Sequence, residues 1–439
     1  MKPLLIKGSR IVDPAQGIDD TGSLLVSDGV ISWLGKKGDT SPSADSDIID
    51  AAGLVVCPGF IDLHCHLRQP GFEEKETIAT GTRAAAKGGF TTVCCMPNTI
   101  PPLDSQATVD YVKSTAVEEG VIRVLPIGCV SKGREGEELA EMAELASAGV
   151  IGYSDDGNCV VRSRLMRRAL EYSWGFGRPI IDHCEDTTLT EGGQINEGII
   201  ATRLGLQGIP NAAEESMVAR DIALAELTGA WLHVAHVSTA GSVELVRRAK
   251  AKGIKVTAEV TPHHLTLTEE KVLGYDTNAK VNPPLRSQAD VQALIQGLND
   301  NTIDIIATDH APHTEEDKLC EFGFAPFGIS GLETALGSLM TLMHQGYLSL
   351  NTLVAKLTSE PARIIGDEHG QLGTLAVGAP ADITIFDPEQ EWVVDTRHFA
   401  SKGKNTPLAD SRLKGKVMAT VYGGNLVYHD NALKLKTKG

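Results

Sequence analysis

From Val56 onward, apolar strand-like runs alternate with helical ones at nearly constant spacing. Phe90 to Met96 follows the helical stretch Glu76 to Lys87, and Ile122 to Ile127 follows Ala107 to Glu119. Val150 to Tyr153 follows Glu137 to Ala148, and Pro179 to His183 follows Ser163 to Phe176. Trp231 to His236, Lys255 to Glu259 and Ile303 to Ala307 repeat the pattern after Glu214 to Thr228, Ser242 to Ala251 and Ala289 to Asn299. Such alternation demands parallel strands joined by helical crossovers. About eight units over roughly 300 residues suit a closed (β/α)8 TIM-like barrel with insertions. An open doubly wound sheet is the alternative, but no glycine-rich phosphate loop follows an early strand.

Both ends of the chain differ from this middle. Leu4 to Ile6, Arg10 to Val12, Ser23 to Val26 and Val30 to Leu34 are short strand-like runs broken by Asp-Pro, Gly and Asp-Gly turns. The β texture returns after helical stretches near 332–365, in Gly373 to Phe386 and in a hairpin of Val417 to Tyr422 with Asn425 to Tyr428 about Gly423-Gly424. The expected organisation is an α/β chain. Residues 57–366 form the barrel, and residues 1–56 and 367–439 pack together as one small β-sandwich domain.

The 439 residues carry 40 basic and 57 acidic side chains, a formal net charge of -17. That balance argues against a nucleic-acid surface and against an anionic membrane partner. Neither a targeting peptide nor a membrane span is visible, so a cytoplasmic protein is expected. The eight cysteines lack zinc-finger spacing and read as reduced and mostly buried.

The polar residues at strand ends carry the chemistry. Val56 to Cys65 reads as a buried strand, on which His64 and His66 share a face and Cys65 points away. Asp155 and Asp156 follow Ile151 to Ser154, His183 ends Pro179 to Asp182, His236 ends Trp231 to Ala235, and Asp309 follows Ile303 to Thr308. Each stands at the C-terminal end of a different strand, which is the catalytic face of a barrel. Four imidazoles and two carboxylates there suit one or two divalent ions, with zinc favoured by that donor mixture. Asp156 is the candidate bridge, and Asp155 competes with it, one of the two being a cap or turn residue. His233 reads as a core histidine, and His263 and His264 as supporting or packing residues. Arg68 shares the ligand face if the strand persists. Arg68, Asn98, Asn282 and His313 together suit a substrate carboxylate.

At these residues the chain resembles the class I, bacterial-type dihydroorotases of the amidohydrolase superfamily. The resemblance rests on Pro58 to Arg68, Gly88-Gly89-Phe90-Thr91-Thr92, Met96-Pro97-Asn98-Thr99, Ser154-Asp155-Asp156-Gly157, His183-Cys184-Glu185-Asp186 and His236-Val237-Ser238-Thr239. Glu259 to His264, Lys280 to Arg286, Thr308 to His313, Gly373-Thr374-Leu375 and Gly378 to Asp382 extend it over nearly the whole chain. It implies that His64, His66 and Asp309 bind one zinc ion, that His183 and His236 bind a second, and that Asp156 bridges them. It implies that Arg68, Asn98 and His313 hold a substrate carboxylate. Asn282 and the backbone of Phe327 and Gly328 would touch a pyrimidine ring. The implied reaction is reversible cyclisation of N-carbamoyl-L-aspartate to L-dihydroorotate in pyrimidine biosynthesis, by a metal-activated hydroxide with Asp309 as acid-base. A homo-oligomer is implied, as is possible association with aspartate transcarbamoylase. The alternatives are an allantoinase- or hydantoinase-type cyclic amidase, or a non-catalytic scaffold for the transcarbamoylase.

Overall fold

A computed structural model describes residues 2–40 and 45–436. The chain opens with β1 (Leu4–Asp13), β2 (Ile18–Ser27), β3 (Val30–Lys36), β4 (Asp47–Asp50) and β5 (Val55–Pro58). Next come β6 (Phe60–Cys65), β7 (Phe90–Cys95), β8 (Arg123–Pro126) and β9 (Ile180–Asp182), then the two-residue strands β10 (Ile195–Asn196) and β11 (Gly208–Ile209). The order continues with β12 (Leu232–Val234), β13 (Val256–Val260) and β14 (Ile305–Ile306). It ends with β15 (Ile383–Val393), β16 (Arg412–Tyr422), β17 (Asn425–His429) and β18 (Lys434–Lys436).

The middle strands form a ring. β6, β7 and β8 pair in parallel, as do β9, β12, β13 and β14. Single parallel bridges Gly128↔Tyr153 and Tyr153↔Ile180 join the two groups, and Cys65↔His310 closes the circle. Seven strands and the Tyr153 stave make eight, so the fold is a (β/α)8 barrel with a β-sandwich domain beside it. The stretch Val150 to Tyr153, expected as a strand, is bridged through Tyr153 alone, but its backbone bonds to both neighbours: the Ile151 and Tyr153 amides donate to the Pro126 and Pro179 carbonyls, and the Gly128 and Ile181 amides donate to the Gly152 and Tyr153 carbonyls.

The barrel interior is filled by Ile61, Leu63, Cys94, Met96, Leu125, Ile127, Ile151, Ile181, Ala235, Ile305 and Ala307. These are the inward residues of successive strands, so the barrel is a packed core rather than a pore. Helices such as Ile78–Lys87, Ser163–Trp174 and Ala240–Ala251 bury apolar faces against its outside. Thr77, Thr239 and Ser287 cap three of the crossover helices through their side-chain oxygens.

The end strands share one sheet, ordered β17-β16-β15-β5-β1-β2-β3, with β4 on β1 and β18 on β4. Leu4 to Ile6 and Arg10 to Val12, expected as two strands, belong to the single strand β1. A register shift between Lys7 and Ser9, with Gly8 at φ 77°, absorbs the interruption. β5 pairs with β15 and runs directly into β6, and the Gly59 amide donates to the Asp382 carbonyl. The first barrel strand, which carries His64, is thereby tied to the sheet.

The helix Ile78–Lys87 turns into β7 through Gly88. A Cβ on Gly88 would lie 2.2 Å from the Leu332 carbonyl oxygen, which is backbone and cannot swing away. Gly88→Ala is expected to cost about 1–3 kcal/mol through overpacking. Thermal unfolding measures this, and an unchanged midpoint would contradict the close approach.

Candidate metal centre and substrate pocket

The catalytic face of the barrel carries the predicted donors. His64 is fully buried, and His66, Asp156, His183, His236 and Asp309 are at most 5% exposed. Their facing atoms lie at coordination-edge distances. His64 Nε2 is 3.4 Å from Asp156 Oδ1 and 3.6 Å from Asp309 Oδ1. His66 Nε2 is 3.1 Å from Asp309 Oδ1 and 3.6 Å from Asp156 Oδ2. His236 Nε2 and His183 Nδ1 stand 3.5 and 3.8 Å from Asp156 Oδ1. Bonds of about 2.0–2.1 Å in a tetrahedron place ligand atoms about 3.3 Å apart.

Two groups are tight enough to hold one ion each: His64 with His66 and Asp309, and His64 with Asp156 and His236. His64 belongs to both, whereas the sequence assigned it to the first alone. His183 borders the second group, its Nδ1 2.9 Å from His236 Nε2. His64 Nε2, Asp156 Oδ1 and His236 Nδ1 are buried without a hydrogen-bond partner. Orphaned polar atoms of this kind are rare in proteins, and a cation between His64 Nε2 and Asp156 Oδ1, which face each other at 3.4 Å, would satisfy both a lone pair and a negative charge. The donor set therefore fits a divalent metal. A further group, Asp182 with Cys184 and Asp221, already has a cation, since Arg220 Nε lies 2.6 Å from Asp221.

Local backbone aims these side chains. His236 and Asp309 adopt left-handed φ values of 30° and 45°, which non-glycine residues rarely tolerate away from functional sites. Asp62, two residues before His64, accepts from the Thr308 amide and hydroxyl at 2.8 and 2.6 Å, fixing the start of the Asp309 turn. Asp155 accepts from the Val130 and Ser131 amides, both at 3.0 Å, so it is the turn-holding member of its pair.

Electrostatics keep the site charged despite its burial. Burial opposes charge on Asp156 and Asp309. The surrounding His64, His236 and His66 outweigh it and hold both carboxyls well below the usual carboxylate range. Burial likewise opposes a proton on His183, but Glu185 at 2.8 Å raises it to about 9.

Two carboxylates given no role from the sequence support these histidines. Glu259, at the end of β13, accepts from His64 Nδ1 at 2.6 Å and from His233 Nε2 at 3.1 Å, while the other His233 nitrogen meets Thr257. This fixes the His64 tautomer with Nε2 facing the centre. Glu185 does the same for His183. The signal was available: Glu185 lies two residues past His183, and Glu259 is an acidic residue in an apolar strand. His264 is bonded to Thr261 and to the Pro283 carbonyl, consistent with support, whereas His263 Nε2 has no partner.

A cavity of about 200 Å³ opens over the donors. It is lined by His66, Arg68, Asn98, Asp156, Gly157, His183, His236, Val281, Asn282, Asp309, Ala311, His313, Phe327 and Gly328. All six expected substrate residues line it. The strand does not persist to Arg68, however. It ends at Cys65, and Arg68 has φ 62°, so a backbone turn rather than strand alternation brings the guanidinium in. Its Nε donates to the Pro312 carbonyl, and its Nη groups have no partner among the described residues. Asn98 Oδ1 is spent on His66 Nδ1 at 2.9 Å, which leaves its amide nitrogen for a substrate. Asn282 Nδ2 is spent on Glu185, which leaves its oxygen. His313 Nε2 donates to the Phe327 carbonyl at 2.8 Å, and its buried Nδ1 has no hydrogen-bond partner. A larger cavity of about 450 Å³ lies between the barrel and the sheet, bordered by Trp392, Phe399 and Tyr428, away from the donor cluster.

Glu259→Gln is expected to weaken binding of metal by about 10- to 100-fold while the fold survives. Competition with a chromogenic chelator reads the affinity, and an unchanged value would remove Glu259 from the support of His64.

A family model described as dihydro-orotase-like matches residues 53–242, and an amidohydrolase family model matches residues 329–428. A dihydroorotase of Pelotomaculum thermopropionicum is 53% identical over 98% of this chain and 100% of its own length. One of Caldanaerobacter subterraneus is 53% identical over 98% of each chain. Among solved structures, an L-hydantoinase of Arthrobacter aurescens superposes with a TM-score of 0.88 at 27% identity, over 99% of this chain and 98% of that one. With full-length relatives at this identity, the chain belongs to the dihydroorotase family of the amidohydrolase superfamily.

Proposed function

We propose that this chain is a dihydroorotase of pyrimidine biosynthesis, interconverting N-carbamoyl-L-aspartate and L-dihydroorotate at the cavity over the donor cluster. The observation that carries this is Arg68, whose unpaired Nη groups line the same cavity as the converging histidines and aspartates. A cyclic amide with a ring carboxylate needs both: a cation for the carboxylate and an electrophilic centre for the carbonyl. The 53% identity to named dihydroorotases supports the substrate over a hydantoin or allantoin. The complete donor set supports catalysis over a scaffold role.

Zinc is the proposed metal, one or two ions held by His64, His66, Asp156, His183, His236 and Asp309. Such an ion polarises a carbonyl oxygen and lowers the pKa of water toward neutrality. The chain supplies the rest. Arg68 and the Asn98 amide nitrogen grip the carboxylate and set the ring's orientation, which converts a chance encounter into a held geometry. The Asn282 oxygen and the Phe327–Gly328 backbone meet the ring edge. Asp309, held deprotonated by its histidine neighbours, takes the proton of the attacking water and returns it to the departing ring nitrogen. In the biosynthetic direction the same groups act in reverse order.

No helix among the described residues is long and apolar enough to cross a membrane. A cytoplasmic location, a homo-oligomer and association with aspartate transcarbamoylase go with this activity. Light scattering, alone and with the transcarbamoylase, tests the last two.

Asp309→Ala is expected to lose about 10²- to 10⁴-fold in kcat, the usual worth of a positioned acid-base. Retained turnover would remove that role. Arg68→Ala is expected to raise KM for dihydroorotate by about ten-fold or more, as loss of a charged hydrogen bond does, and a normal KM would contradict the carboxylate assignment. On a panel of dihydroorotate, hydantoin, dihydrouracil and allantoin, only the first is expected to turn over efficiently.

A further inference from the structure

Two lysines are buried beside the pocket with no carboxylate to pair them. Lys280 is 3% exposed and Lys318 is 5% exposed, and neither ammonium has an ion pair among the described residues. Burying a charge is costly unless its donors are met, and here backbone carbonyls meet them. Lys318 Nζ donates to Pro326 at 2.7 Å, to Thr277 at 3.0 Å and to Lys280 at 3.4 Å. Lys280 Nζ donates to Phe322 at 2.7 Å and to Gly323 at 3.1 Å. It also lies 5.3 and 4.9 Å from the ring centres of Phe322 and Phe327, within cation–π range.

The bonds cross between two loops. One loop, 277–282, ends in Asn282. The other, 314–328, follows His313 and ends in Phe327 and Gly328. Each lysine reaches from its own loop to the other, and the Thr277 hydroxyl adds a 2.6 Å bond to the Lys318 carbonyl. The Gly328 amide in turn donates to the Lys280 carbonyl at 2.9 Å. Gly328 has φ 143°, and a Cβ there would lie 2.8 Å from the Ala311 carbonyl and 2.9 Å from His313 Nε2. The wall of the pocket is thus packed at backbone contact, and beyond the loop-to-loop bonds it is held by His313 Nε2 on the Phe327 carbonyl at 2.8 Å and by Asn405 Nδ2 on the Gly328 carbonyl at 3.0 Å.

We propose that Lys280 and Lys318 are a reciprocal ammonium clasp that closes the 314–328 loop onto the 277–282 loop and so sets the Phe327–Gly328 wall of the substrate pocket. They are positioning residues, since neither touches the cavity. The clasp rests on the assignment of this cavity as the substrate site.

Lys318→Met keeps the length of the stem and removes the charge and the donors. In the metal-loaded enzyme, KM for dihydroorotate is expected to rise about ten-fold, as for loss of hydrogen bonds to a charged group, with kcat changed less than about two-fold and the metal content unchanged. Hydrogen exchange of amides 319–328 is expected to accelerate, while peptides spanning 60–66 and 232–236 keep their wild-type rates. A raised KM without faster loop exchange would assign the effect to long-range charge on an anionic substrate and overturn the clasp. An unchanged KM would overturn it as well. Should Lys318→Met not fold, Lys280→Met removes the reciprocal ammonium and its bonds to Phe322 and Gly323. The same loop amides must then exchange faster, and wild-type exchange there would overturn the clasp. Arg68→Ala separates the two claims. If it leaves KM unchanged, the pocket assignment fails. If it raises KM while Lys318→Met does not, the clasp alone fails.

Discussion

Four imidazoles and two carboxylates are kept out of water at the mouth of the barrel, and they can be so only because they face one another. An isolated buried carboxylate would protonate, and an isolated buried imidazole would stay neutral. Packed within 4 Å, each offsets the desolvation of its neighbours, and Asp156 and Asp309 stay charged. Mutual attraction does not use every donor, however. The unpartnered His64 Nε2 and Asp156 Oδ1 face each other at 3.4 Å. A divalent cation is the species that satisfies them together, and the rest of the fold keeps that arrangement from relaxing.

The support comes from groups that never reach the cavity. Glu259 holds His64, Glu185 holds His183, Asn98 holds His66, and Asp62 and Asp155 pin the turns that carry Asp309 and Asp156. Beneath them the barrel is filled by aliphatic side chains, Met96 and Cys94. That apolar filling strengthens each polar contact above it, because charges interact more strongly where the effective dielectric is low. The sheet built from both chain ends continues β5 straight into β6. The backbone of the strand that carries His64 is therefore held at its base as well as at its tip.

Much of this was legible from residue order. The alternation of strand and helix follows from local hydrophobic period, and placement at strand ends follows from chain direction, so the barrel and the gathering of His64, His66, Asp156, His183, His236 and Asp309 at its mouth could be read without coordinates. What escaped depended on geometry that spacing does not encode. The left-handed backbone at Arg68 turns it inward after the strand has ended, whereas alternation alone would have needed three more residues of strand. Val150 to Tyr153 has strand composition and bonds to both neighbouring strands, although Tyr153 is its one bridging residue. The sharing of His64 between two donor groups, and the commitment of His313 to the Phe327 carbonyl, are contacts between segments far apart in sequence. Glu259 and Glu185 sat inside recognised motifs, yet their partners become visible only once strands are neighbours.

The central claim is that the barrel mouth is an ion site made of nitrogen and oxygen donors alone. X-ray absorption at the zinc edge, on protein loaded with zinc and dialysed, tests it most directly. The expected spectrum has only nitrogen and oxygen neighbours at about 2.0–2.1 Å, with outer-shell scattering from several imidazoles. A sulfur neighbour at about 2.3 Å, or zinc lost entirely on dialysis, would contradict it.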